Sequence, residues 1–378
     1  MPHRPDYETA RAREGFRWWV TVGVSAYRTL AGVGLRDFNL SPAACIEVYR
    51  RGRPLARKLF GDEVSYAGPA TPPISYGHVS VLGGELLFPE DGEVNFRPPF
   101  ASLQEGIARL EQPVDFATAG MAPFYLDFRE EMQAAFPDEK VGFSFGYGGP
   151  LTSAWELRGH GFFTDLYDAP DLVHEYLRLV TRFVVAYARW QGGINGRPPV
   201  SPTEAGMCDD IAAMIPPRLM GEFVVPYWEA FYQGLTTGRR SAHVEDLRPG
   251  QLRYLEEIGL DFYDPSISPR LNPRLVCQGC RVPFAWRLPG FLYRDLTCRD
   301  VEDFVYQAAA EGASAVFTLP EAGMHGQENA DKVRAFVTAA QRTKEMLDRG
   351  EPRERVGDLV TPGNRERFCG YLGQHEGA

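Results

Sequence analysis

The sequence predicts an α/β protein assembled from repeated strand–helix units. Three observations predict it. From Val141 onward, short apolar runs that suit buried strands start roughly 20–40 residues apart, the tempo of repeated βα units. Each run is followed by a stretch with apolar residues at three- and four-residue spacing, the mark of a helix with one buried face. Carboxylates and histidines collect where the runs end, and in parallel α/β proteins those ends face the active site. The 378 residues suffice for one large α/β barrel with insertions or for two domains. A hydrophobic content of 44% with 24% charged residues can bury a sizeable core.

Taken in order, residues 1–110 read as an irregular N-terminal extension. Arg53-Pro54 and Gly68-Pro69-Ala70-Thr71-Pro72-Pro73 interrupt regular structure, and Ser80–Phe88 reads as a hairpin turning at Gly83-Gly84. Val141–Phe145 is a buried-strand candidate, and the Gly146-Tyr147-Gly148-Gly149 loop behind it could cradle an anion. The next helix carries Leu172, Tyr176, Val180, Phe183, Val184 and Tyr187 on one face. A second unit ends in one helix with Leu219, Phe223, Tyr227 and Phe231, started by Pro216-Pro217. A strand Arg239–Ala242 runs into His243; Leu252, Leu255 and Ile258 make its helix, and Gly259 stops it. Further strands are Gly259–Asp264, Val282–Trp286 and Ala313–Thr318. Thr297 and Asp300 form a capping box with Asp in place of Glu. Residues 1–350 are expected to form a single domain and 351–378 a charged peripheral tail.

The net charge of −10 argues against nucleic-acid partners, which favour a basic face. No apolar run reaches the ~18 residues of a spanning helix. Trp18–Val22 is too short, and too closely preceded by acids, for a signal peptide. Six irregularly spaced cysteines suit a reducing, cytoplasmic setting.

Four constellations could carry chemistry. His243 and Glu245, two apart on an extended segment, point the same way and could hold a metal or run acid–base chemistry. Asp209 and Asp210 either contact substrate or metal, or favour the dipole of the helix that follows. Glu321 and His325 lie on a glycine-containing loop after a strand; Glu321 with His243 and Glu245 would make a His/Glu/Glu set suited to zinc, iron or manganese. Cys277-Gln-Gly-Cys280 reads as an inert pair, since no second such pair exists.

Several stretches together resemble the uroporphyrinogen decarboxylase superfamily. They are Gly149-Pro150-Leu151-Thr152 with Leu157-Arg158-Gly159, Leu166–Val173, Asp209-Asp210 before Ile215–Leu219, Phe223 with Pro226-Tyr227, and His243 ahead of Leu255–Asp261 and Asp264-Pro265. The resemblance spans about Val20 to Arg342 and implies a (β/α)₈ TIM barrel. Ala31-Gly32-Val33-Gly34-Leu35-Arg36 is closer to the superfamily's corrinoid-dependent methyltransferase branch than to its true decarboxylases. That branch often holds zinc through His-x-Cys and a later Cys; Glu245 and Glu321 stand at those cysteine positions here. The resemblance therefore implies a methyltransferase-like enzyme. His243, Glu245 and Glu321 would hold a divalent metal, with zinc one candidate, that polarises an oxygen of a small substrate. Asp209, Asp210 and Asp264 would position that substrate or support the ligands, and a partner protein would carry the corrinoid. The alternatives are a decarboxylase of uroporphyrinogen or another carboxylated substrate, and a barrel that binds a ligand without turnover.

Overall fold

The computed structural model of the chain describes residues 4–90 and 92–364. Among these, nine strands run in chain order: β1 (Arg17–Val22), β2 (Ser65–Tyr66), β3 (Glu85–Leu87), β4 (Asn95–Arg97), β5 (Glu204–Cys208), β6 (Arg239–His243), β7 (Phe262–Asp264), β8 (Ala285–Leu288) and β9 (Ala315–Thr318). Contacts divide the described chain into two units. One comprises residues 33–46 and 68–240, the other residues 4–32, 47–67 and 241–364, so the boundary falls inside β6.

The second unit is a parallel sheet covered by helices. Its strands lie in the order β2-β1-β9-β8, β7 joins through a bridge from Tyr263 to Phe284, and β6 pairs with β7. From β6 to β9 the spatial order is the chain order, and the last strand lies beside the first. β9 is buried at every position, as expected of a parallel strand covered on both faces. Trp18–Val22, which the sequence offers only as a short apolar run, is part of β1, with β2 on one side and β9 on the other.

The N-terminal residues of this unit are more regular than their composition predicts. A π-helical turn Val48–Gly52 and the helix Arg53–Phe60 follow one another without a gap. Pro54 has no N–H to give the preceding turn, and the wider π turn sits just before it. Gly52 is needed for a different reason: a Cβ there would lie 2.1 Å from the carbonyl oxygen of Tyr27.

The helix Cys298–Ala310 begins with the anticipated capping box. Thr297 Oγ1 accepts from the Asp300 N–H at 3.2 Å, and Asp300 Oδ2 accepts from the Thr297 N–H at 2.8 Å. Thr297→Ala should therefore lower unfolding free energy by about 1 kcal/mol. Urea titration checks this, and an unchanged midpoint would contradict it. The charged stretch after 350 is not peripheral over its described part. Val356 and Val360 are buried, and Asn364 donates to Asp300 and Asp303 at 2.9 and 2.8 Å. Residues 365–378, with Cys369, lie outside the described residues.

The first unit carries the long helix Pro170–Ile194, whose buried face includes the anticipated Tyr176, Val180, Val184 and Tyr187. Its extended segments at 70–74 and 142–145 run parallel, joined by Ala70–Gly142 and Ile74–Phe145 bridges. Pro69, Pro72 and Pro73 cannot donate to a ladder, so what composition marks as a breaker is an extended segment with few hydrogen bonds. The hairpin lies further along than the sequence suggests. Residues Gly77–Val81 are helical, Gly83 takes φ +100°, and β3 pairs antiparallel with β4. The single helix expected through Leu219 and Phe231 is broken at Val224 (φ −121°, ψ −59°), because Pro226 cannot donate to the turn before it.

Candidate functional site

Register places side chains on the second unit's sheet in layers. Neighbours in a parallel register point to the same face. Arg17 aligns with Ala315 and Ala285, and Trp19 with Phe317 and Arg287. On the other strands Ser241 aligns with Phe262, and His243 with Asp264. Ala285, Ala315, Phe317, Trp19, Phe262 and Leu319 pack as one apolar cluster on this face. Trp19 and Phe317 stack with centroids 4.7 Å apart. The same face therefore carries an apolar lower part and, toward the C-terminal strand ends, His243, Asp264 and Arg287.

His243 Nδ1 lies 2.9 Å from Asp264 Oδ2. An ionised carboxylate only accepts, so Nδ1 donates and the lone pair of neutral imidazole falls on Nε2. Asp264 is itself held, since its Oδ1 accepts from the Ser266 N–H at 2.8 Å. Glu245 Oε1 stands 3.7 Å from His243 Nε2, beyond hydrogen-bond length. β6 ends at His243, so the turn that follows, rather than the strand spacing of two expected from the sequence, brings Glu245 near it; Asp264 joins through strand register.

The loops after β6 and β7 are strained. Asp246 (φ +63°) and Ser266 (φ +47°) are the described non-glycine residues in the left-handed region. Such outliers persist where surrounding bonds hold them, and they cluster at functional sites. Asp246 is held by Arg270, and its N–H donates to Ser268 Oγ at 2.7 Å. The row continues to the next strands: Arg287 reaches Ser266 Oγ at 3.4 Å and pairs with Glu321. Sequence reasoning did not single out Arg287 or Ser266. A lone arginine inside Trp286–Leu288 carries no motif, and Ser266 follows a strand end without one.

Glu321, expected beside His243 and Glu245 as a metal ligand, is instead engaged by the Arg287 guanidinium, which repels a cation at that carboxylate. His325 is exposed and, among the described residues, meets its own loop at Ala322 O. Cys277 and Cys280 are free thiols whose pKa burial raises, that of Cys280 to about 11, which suits the inert reading.

Asp209, expected to position substrate, is fully buried in the first unit. Its carboxylate accepts from the N–H groups of Leu151 (3.2 Å) and Thr152 (2.6 Å) and from Trp228 Nε1 (2.6 Å). It thus caps the helix Pro150–Arg158 across 57 residues of chain rather than the helix following it. The anion anticipated at the glycine loop is this carboxylate: a Cβ on Gly149 would lie 2.7 Å from Asp209 Cγ. Burial pushes the carboxyl up to about 6, against the three donors that favour its charge. Asp210 lies beside Cys208 at the end of β5, with Cys208 Sγ donating to its Oδ2 at 3.6 Å.

The uroporphyrinogen decarboxylase (URO-D) family model matches residues 76–343, more than half of the chain. The chain belongs to this family. Its fold is the family's α/β TIM barrel, with parallel sheets. Among solved structures, a methyltransferase from Methanosarcina mazei is similar with a TM-score of 0.63 and 16% identity, over 88% of this chain and 96% of that one. Comparison with curated proteins finds no match. The family match includes His243, Glu245, Asp264, Arg287 and Glu321, so the second unit's polar row lies within the URO-D region. No helix of the described residues is long and apolar enough to cross a membrane.

Proposed function

We propose that the chain is a methyltransferase-like enzyme that binds a small oxygen-bearing substrate with the help of a divalent cation at His243 and Glu245. The observation that carries this reading is the Asp264–His243–Glu245 arrangement. A carboxylate fixing Nδ1, so that the Nε2 lone pair points away from it, is the usual support of a metal-bound histidine. Two ligand bonds of about 2.1 Å at a tetrahedral angle separate donor atoms by about 3.4 Å, near the 3.7 Å between Nε2 and Oε1. The donors fit a cation. Nitrogen and carboxylate oxygen are harder than the thiolates at the equivalent places in the resembling branch, which favours an oxygen-bearing substrate over a thiol.

The bound cation would polarise the substrate oxygen. Asp264 keeps the imidazole in one tautomer and orientation, and the Ser266 N–H keeps Asp264 in place. Glu245, half-exposed beside Nε2, would share the cation with His243. The similarity in fold to a methyltransferase supports methyl exchange; a partner protein would carry the corrinoid.

Elemental analysis tests the metal. The purified protein should hold about one equivalent, and His243→Ala should lose it; wild-type protein without metal, or unchanged content in the variant, would remove the reading. Methylcobalamin offered with candidate hydroxyl acceptors tests the exchange, and release of carbon dioxide from uroporphyrinogen would instead establish the decarboxylase.

A further inference from the structure

Arg287 lies two strands from His243 and is unusually placed for a cation. Its side chain is only 13% exposed, whereas that of Glu321, its partner, is 42% exposed. Its Nε is buried and meets no hydrogen-bond partner among the described residues. One terminal nitrogen reaches Ser266 Oγ at a marginal 3.4 Å, and the other holds Glu321. A planar guanidinium offers five N–H groups in a fork matched to a carboxylate. Here the fork is only partly used, and the acid that uses it comes from a loop at the surface.

The neighbours of Arg287 are as specific as its charge. Its register partner is Phe317, which stacks on Trp19. Phe317 is buried in the apolar cluster with Trp19, so the floor beside the guanidinium, on the face that also carries His243 and Asp264, is apolar. β8 is two strands from β6, so their backbones are separated by roughly 10 Å. That span suits a substrate with a ring or short apolar body rather than a two-carbon acid.

We propose that Arg287 anchors a carboxylate on the substrate, and that Glu321 occupies the guanidinium until that carboxylate replaces it. The substrate class is a small organic monoacid with a flat apolar body. Its acid end lies on Arg287, its body spans β7 above the apolar cluster, and its reacting oxygen lies toward His243. The inference rests on the reading of these strand ends as a small-molecule site, but not on the metal or on methyl exchange.

Calorimetric titration of the metal-free protein with benzoate, benzamide and acetate tests it without requiring turnover. Benzoate should bind roughly 10- to 100-fold more tightly than benzamide, the worth of a charged hydrogen-bonded pair, and acetate more weakly than benzoate. Arg287→Gln should remove the preference for benzoate over benzamide. Glu321→Gln, which removes the competing acid, should bind benzoate more tightly than the wild type; a pair that only braces the loop would show no such gain. Equal binding of benzoate and benzamide, no binding of benzoate, or no gain in Glu321→Gln would each overturn the proposal. The last outcome decides the matter even if Arg287→Gln fails to fold. Loss of metal binding with retained benzoate selectivity would remove the proposed cation and leave this anchor standing.

Discussion

Asp209→Ala should lower the unfolding free energy by about 3 kcal/mol or more. The substitution leaves the N–H groups of Leu151 and Thr152 and the Trp228 indole N–H without their acceptor. Each buried orphan costs on the order of 1–3 kcal/mol, and relief from burying a carboxylate offsets part of the sum. A urea midpoint within experimental error of the wild type would show that these donors find other partners. The same residue sets a pH dependence of definite sign. Its folded pKa of about 6 exceeds the ordinary aspartate value of 3.8, so between these values the folded state binds more protons than the unfolded state. The stability associated with the neutral carboxyl is full below pH ~4 and is lost as pH rises through ~6. A difference of about two units corresponds to on the order of 3 kcal/mol. Asp209→Asn should flatten the stability curve across this window, and the emission of Trp228 should titrate with a midpoint near 6 in the wild type alone.

Asp264→Ala is expected to weaken divalent-cation binding by about 10- to 100-fold while leaving the fold intact. Without Asp264 the Nδ1 proton of His243 loses the carboxylate that directs it, and both tautomers and other ring orientations open. The Ser266 N–H also loses its acceptor, which releases the strained turn after β7. Asp264→Asn should behave similarly, because an amide placed against Nδ1 can present N–H where the imidazole needs an acceptor. Zinc or manganese titration monitored by calorimetry, with circular dichroism to confirm folding, measures the effect. Wild-type affinity in Asp264→Ala would mean that the carboxylate does not support the ligand.

The legible parts of the site were those within one segment. His243 could be placed at a strand end from the run before it, and Asp264 likewise; Glu245 lies past the end of β6 in a turn, so its nearness to His243 comes from the loop and not from the strand's period of two. The capping box at Thr297 needs only four consecutive residues. The illegible parts depended on distant partners. Asp209 precedes one helix in sequence but caps another, and Glu321 suits a metal by type but meets a guanidinium 34 residues away. Pro69, Pro72 and Pro73 hid an extended segment because proline suppresses the ladder by which strands are recognised.

Local periodicity, strand ends and short-range capping thus determined from the amino-acid order alone that this is a βα-repeat protein with a histidine and acids at its strand ends. Tertiary structure alone decided which acid is buried as a helix cap, which orients the imidazole and which lies on Arg287. The reason is electrostatic: a carboxylate's role depends on the donors and the solvent around it, and those are supplied by segments that only folding brings together.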